Sequence, residues 1–227
     1  IDQSTDTCTL NYSTLNFLRS HFEAFFVQKN NWERVTMRKM DIISEINNCT
    51  ECAHSLPFSP KPILQYSNTA NVILIGQAPG IKAHQSNTPW NDASGDRLRL
   101  WLDMPEQMFC NKNILSIVPM GFCYPGKSKS GDLPPRPECA PKWHPLLVQQ
   151  PTSKVILLVG KYAQDYYLRD KKTLTERIRN WRDYQVQYLP LPHPSPRNNI
   201  WLKRNSWFEN DILPQMKQWL KTKIKNN

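Results

Sequence analysis

The chain has 227 residues, in which 29 Lys and Arg side chains stand against 19 Asp and Glu, giving a formal net charge of +10. This length suits one compact domain, and no apolar run approaches the about 18 residues that a membrane span needs. The first residues also lack the basic and apolar stretches of a signal peptide. We therefore expect a soluble monomer in the cytoplasm, nucleoid-associated if bacterial, and the charge favours a polyanionic partner.

The amino-terminal part of the chain carries a helical pattern. Apolar side chains recur at helical spacing in residues 10–28 and 32–47. We expect a helical section over residues 1–48 that packs on the core. A single α/β unit is then expected over residues 49–227.

Four short apolar runs rich in β-branched residues follow, each ending at Gly or Pro. They are residues 71–76, 113–119, 154–160 and 186–192. Helix signals separate the runs: a helix from Ser94 toward Leu102, and capping-box spacings at Thr173–Glu176 and Ser206–Glu209. The pattern predicts a three-layer α/β/α sandwich with a central, mostly parallel, four-stranded sheet.

The segment after the first predicted strand, "GQAPGIKAHQSNTPWNDASGD" at 76–96, is predicted to be a long loop, which in a compact domain is usually functional. It opens with glycines and a stiff proline, which suit a rigid cradle for a planar or anionic ligand: Gly76, Gln77, Ala78, Pro79 and Gly80. Further on, Trp90 offers an aromatic face and Asp92 a carboxylate. Their structural alternatives are core packing and capping of the following helix.

His193 follows the last predicted strand, inside "LPHPSPRNN". Ligands of such sheets bind beyond the carboxyl ends of the strands, so His193 and the 76–96 segment should face one crevice. A lone histidine is more often a satisfied surface or core residue. Its frame of prolines after a buried strand favours a functional role here.

The pairing of "GQAPG" after the first strand with "HPSP" after the last resembles the uracil-DNA glycosylase superfamily over roughly residues 49–219. The cysteine-bearing, iron-sulfur branches are the most similar. The resemblance implies a monofunctional enzyme that flips uracil, or a related deaminated base, out of single- or double-stranded DNA and hydrolyses its N-glycosidic bond.

The resemblance also implies roles for individual residues. Asp92 would orient water or stabilise the sugar cation, and His193 would hydrogen-bond the departing base at O2. Trp90 would stack on the base, while Gln77, the amides of residues 76–80 and Ser116 would contact its edges.

The residues expected at DNA follow the same logic. Arg197 would enter the vacated stack or clamp a phosphate. Other polar and basic side chains would bind the backbone: Ser195, Asn198, Asn199, Lys203, Arg204, Lys127 and Lys129.

Two departures from the family pattern affect these roles. Ala78 stands where the best-known branch has its catalytic aspartate, so Asp92, in a "DASGD" context similar to that of another branch, is the candidate acid. The asparagine that related branches carry on the middle strand is missing. These departures leave open a catalytically inactive nucleic-acid-binding module with the same fold.

Four of the six cysteines form a pattern. Cys49 and Cys52 make a CxxC pair, and Cys123 and Cys139 follow later in the chain. Four thiolates suit a 4Fe-4S cluster or a structural zinc ion, and the resemblance favours the cluster. The alternative is four reduced, buried thiols.

Overall fold

The computed structural model describes residues 42–129, 131–148 and 154–225. The chain divides into two compact units, residues 1–45 and 46–227. Of the first unit only residues 42–45 are described, and they are helical, so the helical section predicted over residues 1–48 lies mostly outside the described residues. The described helices include none long and apolar enough to cross a membrane.

Four parallel strands form the sheet of the second unit, and each lies inside one of the predicted apolar runs. They are β1 (Val72–Ile75), β2 (Leu115–Ile117), β5 (Val155–Val159) and β6 (Tyr188–Leu191). The strand order is β2-β1-β5-β6. Between β2 and β5 the chain also forms a short antiparallel hairpin, β3 (Lys127–Ser128) and β4 (Gly131–Asp132).

The strands form because their side chains are apolar on both faces, as a sheet covered on both sides requires. Every residue of β1, β2 and β5 is buried. Since all four strands are parallel, their carboxyl ends meet at one edge of the sheet. The segments that follow β1 and β6 are therefore brought to the same edge.

Helices cover both faces of the sheet, which confirms the three-layer α/β/α prediction. Among the described residues after 48, the α-helices are α1 (Ile81–Ser86), α2 (Ala93–Leu102), α3 (Glu106–Phe109), α4 (Cys139–Leu147), α5 (Lys161–Leu168), α6 (Leu174–Arg179), α7 (Asn199–Arg204) and α8 (Leu213–Lys225). Short 3-10 turns lie at Ala53–Ser55, Trp181–Tyr184 and Pro196–Asn198, and a π-helix at Phe208–Ile212.

The predicted long loop at 76–96 is wrong in one respect, because it contains α1. Gly80 is the N-cap of this helix, and Asn87, with φ of 56°, ends it in the left-handed conformation. The short helix α1 therefore lies between the glycine-rich cradle and Trp90.

The two predicted capping boxes have different outcomes. Thr173 and Glu176 form both reciprocal bonds of the box at the start of α6. The box at Ser206–Glu209 does not form, because the Glu209 carboxylate accepts a hydrogen bond from Trp101 Nε1 at 3.0 Å. The chain there is π-helical instead, and Pro214 follows in the first turn of α8.

Arg177 ties α6 to α5 and to the loop after it. Its side chain is only 2% exposed, and its guanidinium lies 2.6 Å from Asp165 Oδ1 and 2.8 Å from Asp170 Oδ1. Burial opposes ionisation of Asp165 and Asp170, but their hydrogen bonds outweigh it and lower the pKa of both carboxyls. The contact therefore stabilises the fold above the ordinary pKa of an aspartate, and the stabilisation is lost as the pH falls.

We predict that Arg177→Met lowers the free energy of unfolding by about 1.5–3 kcal/mol at pH 7, because two carboxylates lose charged hydrogen bonds while remaining partly hydrated. Urea unfolding measures the change. The difference from wild type should shrink as the pH falls through the acidic range. The exposed Lys171→Met is the control. An Arg177→Met loss that is equal at pH 7 and at acidic pH would contradict the assignment.

Candidate active site

A cavity of about 620 Å³ lies at the carboxyl edge of the sheet. This size is within the range of about 300–1,000 Å³ typical of small-ligand sites. Its walls come from the cradle after β1, the start of α2, the loop after β2, the β3–β4 hairpin and the loop after β6. The sheet therefore brings both predicted motifs into one crevice.

Most of the predicted site residues line this cavity. They are Gly76, Gln77, Ala78, Pro79, Gly80, Trp90, Asp92, His193, Ser195, Arg197, Asn198 and Lys127. The lining does not include Ser116, Asn199, Lys203, Arg204 or Lys129.

Ser116 is occupied elsewhere. Its hydroxyl accepts a hydrogen bond from Ser67 N at 3.0 Å and donates one to Ser67 O at 3.1 Å. The side chain is completely buried. The Ser116 hydroxyl therefore joins β2 to the segment before β1 and does not line the cavity. β2 and the loop after it contribute Ile117 and Pro119 to the cavity wall.

Asp92 takes the capping position that the sequence offered as an alternative, and it also lines the cavity. It is the N-cap of α2, with Oδ1 accepting from Gly95 N at 2.9 Å. Its other oxygen, Oδ2, would lie 3.9 Å from a Cβ placed on Gly80, beside the cradle. The capping bond thus fixes the carboxylate while one oxygen faces the cavity.

Two glycines allow Trp90 to take its position. A Cβ on Gly95 would be 1.8 Å from the Trp90 carbonyl oxygen, and a Cβ on Gly76 would be 2.7 Å from Trp90 Cζ2. Trp90 itself has a positive φ of 57°, a strained conformation for a large side chain. Such strain persists only where the surroundings enforce it, and here it holds the indole over the first residue of the cradle.

His193 is held in one tautomer. Its Nδ1 accepts a hydrogen bond from Ser195 N at 3.1 Å, so the neutral ring carries its proton on Nε2. Burial lowers the pKa of His193 to about 4, against the opposing effect of the Asp92 carboxylate. At neutral pH the ring therefore offers an Nε2–H donor without a positive charge.

Trp90 and His193 lie side by side in the wall of the cavity. Their ring centroids are 5.7 Å apart, with an interplanar angle of 33°. An aromatic face, a neutral imidazole donor and a carboxylate therefore converge on one space.

The loop after β6 is also fixed to its surroundings. Asn198 Nδ2 donates to the His193 carbonyl at 3.1 Å, and Arg97 of α2 donates to Asn199 Oδ1 at 2.8 Å. Sequence reasoning did not identify Arg97, because its only signal was a helical position one turn after Asp92. These bonds join the two elements that carry Asp92 and His193.

The β3–β4 hairpin closes the opposite side of the cavity and adds a carboxylate that sequence reasoning missed. Asp132 lines the cavity, and its Oδ2 would lie 3.5 Å from a Cβ on Gly80. Gly131, with φ of 144°, leaves room for the guanidinium of Arg197, which a Cβ there would meet at 2.3 Å. In the sequence, Asp132 was marked only by the string "SGD", within a segment for which contact with DNA was the only predicted role.

The four patterned cysteines form no disulfide bond and lie near one another. Cys52, Cys123 and Cys139 are buried, and Cys49 is partly exposed. The charge of neighbouring cysteines raises the pKa of Cys52, Cys123 and Cys139, and these influences involve every pair of the four residues. Burial, with a smaller part from these neighbours, raises the pKa of Cys123 to about 11 and of Cys139 to about 12.

Within residues 42–129, 131–148 and 154–225, no three His, Cys, Asp or Glu side chains are already arranged to hold a metal ion. The electrostatic influence among the cysteines does not require the spacing of a metal site. Charges act over several ångströms, whereas thiolate ligands lie about 2.3 Å from zinc. The donor set itself fits a thiolate-bound group. Arg136 and Lys142, which the cysteines influence electrostatically, can offset its negative charge.

We predict that His193 stays neutral, with its proton on Nε2, throughout the range from pH 6 to 8. Imidazole nitrogen chemical shifts should show the Nε2–H tautomer and a titration midpoint near 4. Asp92→Asn should lower the midpoint further, because it removes the charge that favours the imidazolium. A midpoint above 6 in the wild type, or a proton on Nδ1, would contradict the geometry.

A comparison with known protein families finds a match. A family model described as the uracil DNA glycosylase superfamily matches residues 64–217. The match covers more than half of the chain and includes both motifs and the β3–β4 hairpin. The chain belongs to the uracil DNA glycosylase superfamily.

Proposed function

We propose that the protein removes uracil, or a related deaminated base, from DNA by hydrolysing the N-glycosidic bond, without forming a covalent intermediate with the DNA. The family supports a glycosylase-type function on DNA in general. The finer assignment rests on the contents of the cavity. The observation that carries it is the presence of Asp92 and His193 in one space beside an aromatic ring.

The reaction separates charge, and the two residues match its two ends. As the bond breaks, the sugar gains positive charge and the base gains negative charge. The free oxygen of Asp92 would stabilise the sugar or hold the attacking water, and the Nε2–H of His193 would donate to the base oxygen. A neutral donor suits this role, because it stabilises the developing anion without protonating a weakly basic oxygen first.

The position of Asp92 accounts for the absence of an acid at Ala78. The capping bond from Gly95 orients the carboxylate without neutralising it. The N-terminus of α2 holds the carboxylate in place, whereas an unattached side chain would lose orientation. We therefore assign to Asp92 the role that the third position of the cradle has in the best-known branch.

The surroundings of the cavity suit an extruded nucleotide. Lys82, Lys127 and Arg197 line its opening and can meet phosphates. The guanidinium of Arg197 lies against Gly131, so it would leave the hairpin to enter the vacated stack. Lys203 and Arg204 of α7 lie outside the cavity and would contact the backbone farther along the strand.

We predict that the wild type creates alkali-labile abasic sites in uracil-containing oligonucleotides, single- or double-stranded. Asp92→Ala and His193→Ala should each lower the single-turnover rate by about 10²–10³-fold, the usual effect of removing one preorganised transition-state contact. Gel analysis of strand breaks after alkali measures the rate.

The control for this assay is Asp211→Ala, which removes an exposed carboxylate far along the chain in the π-helix. It should leave the rate unchanged. A wild type that binds the oligonucleotides but releases no base would contradict the proposal and favour a non-catalytic nucleic-acid-binding module. Full activity in both site variants would contradict the assigned residues.

We also propose that Cys49, Cys52, Cys123 and Cys139 hold a 4Fe-4S cluster, with structural zinc as the alternative. Their mutual proximity supports this, and so do the nearby Arg136 and Lys142. The group would tie the segment before β1 to the chain on both sides of the hairpin, since Cys123 precedes β3 and Cys139 begins α4. Its contribution is structural, and no step of base removal passes through it.

Aerobically or anaerobically purified protein should contain close to one cluster, seen as visible thiolate-to-iron absorption, or else one zinc ion by elemental analysis. Cys123→Ser should lower the metal content and the thermal midpoint, because metal binding is part of the folding free energy. The exposed Cys110→Ser is the matched control and should change neither. The proposal would be contradicted if the wild type contained no metal and had the same thermal midpoint as Cys123→Ser.

A further inference from the structure

We propose that Asp132 reads the ring N–H of the base in the cavity and thereby selects deaminated bases over their parents. This assignment rests on the proposed function and adds to it the basis of base selection.

The position of Asp132 places it at the cradle. Its Oδ2 and the Oδ2 of Asp92 both lie within 4 Å of the point where a Cβ on Gly80 would stand. With φ of −77°, Gly80 has an ordinary backbone, so conformational strain does not explain the glycine. The missing side chain leaves open space between the two carboxylates.

Asp132 is free to bind a ligand. Among the described residues its carboxylate has neither an ion pair nor a hydrogen bond, although Lys127 is its backbone partner across the hairpin. Asp92 differs, because one of its oxygens caps α2 and its charge acts on His193. The two acids can therefore serve different parts of the nucleotide, with Asp92 near the histidine and Asp132 across the cradle.

The side chains first expected at the edge of the base do not replace this acceptor. The β2 side contributes only Ile117 and Pro119 to the cavity, and Ser116 is bonded to Ser67. Gln77 carries an amide, which offers both a donor and an acceptor and so accepts either form of a base edge. An ionised carboxylate is an acceptor only, which is the property that discriminates.

Deamination changes the hydrogen-bonding character of one ring nitrogen. N3 of cytosine is an acceptor, whereas N3 of uracil carries a hydrogen; N1 of adenine and of hypoxanthine differ in the same way. A carboxylate accepts a bond from the N–H and repels the lone pair of the parent base. Asp132 can thus separate the deaminated base from its parent without the asparagine that related branches place on the middle strand.

The test compares uracil, 3-methyluracil and cytosine in otherwise identical single-stranded oligonucleotides. Methylation replaces the N–H that Asp132 is assigned to read with a methyl group and leaves both carbonyl oxygens in place. The wild type should excise uracil much faster than the other two bases. Asp132→Ala should lower the uracil rate by about 10–100-fold, the range for losing a hydrogen bond to a charged group. The ratio of uracil to 3-methyluracil rates should fall toward one.

Asp132→Asn keeps an acceptor oxygen and should retain part of the uracil rate. Asp211→Asn is the control and should retain all of it. Because Asp132 is exposed, Asp132→Ala and Asp132→Asn should each leave the thermal midpoint unchanged. Binding of free uracil and free 3-methyluracil, followed by ligand-observed NMR, gives a second readout that needs no turnover.

The outcomes separate the two proposals. A wild type that excises uracil, together with an Asp132→Ala variant that keeps the wild-type ratio, overturns the role of Asp132 and leaves the proposed function intact. A wild type that releases no base but prefers uracil to 3-methyluracil only when Asp132 is present overturns the proposed function and supports this assignment. Efficient excision of cytosine by the wild type overturns the selection argument.

Discussion

The parallel alignment of four buried strands is the constraint on which the site depends. Because β1 and β6 run in the same direction, the cradle and the histidine loop leave the sheet at one edge, although more than 100 residues separate them. The buried strands are mostly apolar, and their one buried polar side chain on β2, Ser116, is bonded to Ser67, so the polar groups that line the cavity come mainly from the segments that follow the strands. A cavity with a carboxylate, an imidazole and an indole is the result.

Local contacts then convert this coarse placement into an oriented site. The N-terminus of α2 holds Asp92, the Ser195 amide fixes the tautomer of His193, and glycines on two sides enforce the strained Trp90. Each contact uses backbone groups or the absence of a side chain. The site is therefore oriented by the backbone that surrounds it.

The sequence predicted the sheet, the three layers and the two motifs that meet at the cavity, because these follow from apolar periodicity and from residues placed directly after strands. It did not predict that Ser116 faces Ser67, since the direction of a side chain on a buried strand depends on what packs against it. Asp132 was missed for a similar reason: the hairpin that carries it folds back over the cradle through contacts distant in sequence. The capping box at Ser206–Glu209 failed because a tertiary bond to Trp101 competes for the glutamate.

The β3–β4 hairpin links two parts of the protein that look separate along the chain. One of its sides faces the cavity with Asp132, and its ends continue to Cys123 and Cys139. Any group bound by the four cysteines would therefore act on the cavity through the position of this hairpin. Under the proposals above, a thiolate-bound group would support base removal through this position without taking part in the reaction.

The central claim is that one extruded nucleotide occupies the cavity, with Asp92 and His193 on either side of its glycosidic bond. A crystal structure with an oligonucleotide whose target sugar resists hydrolysis tests it most directly. The account predicts the base stacked on Trp90, a carbonyl oxygen within hydrogen-bond distance of His193 Nε2, and the free oxygen of Asp92 facing C1′. A base bound outside this cavity, or a sugar that contacts neither residue, would contradict it.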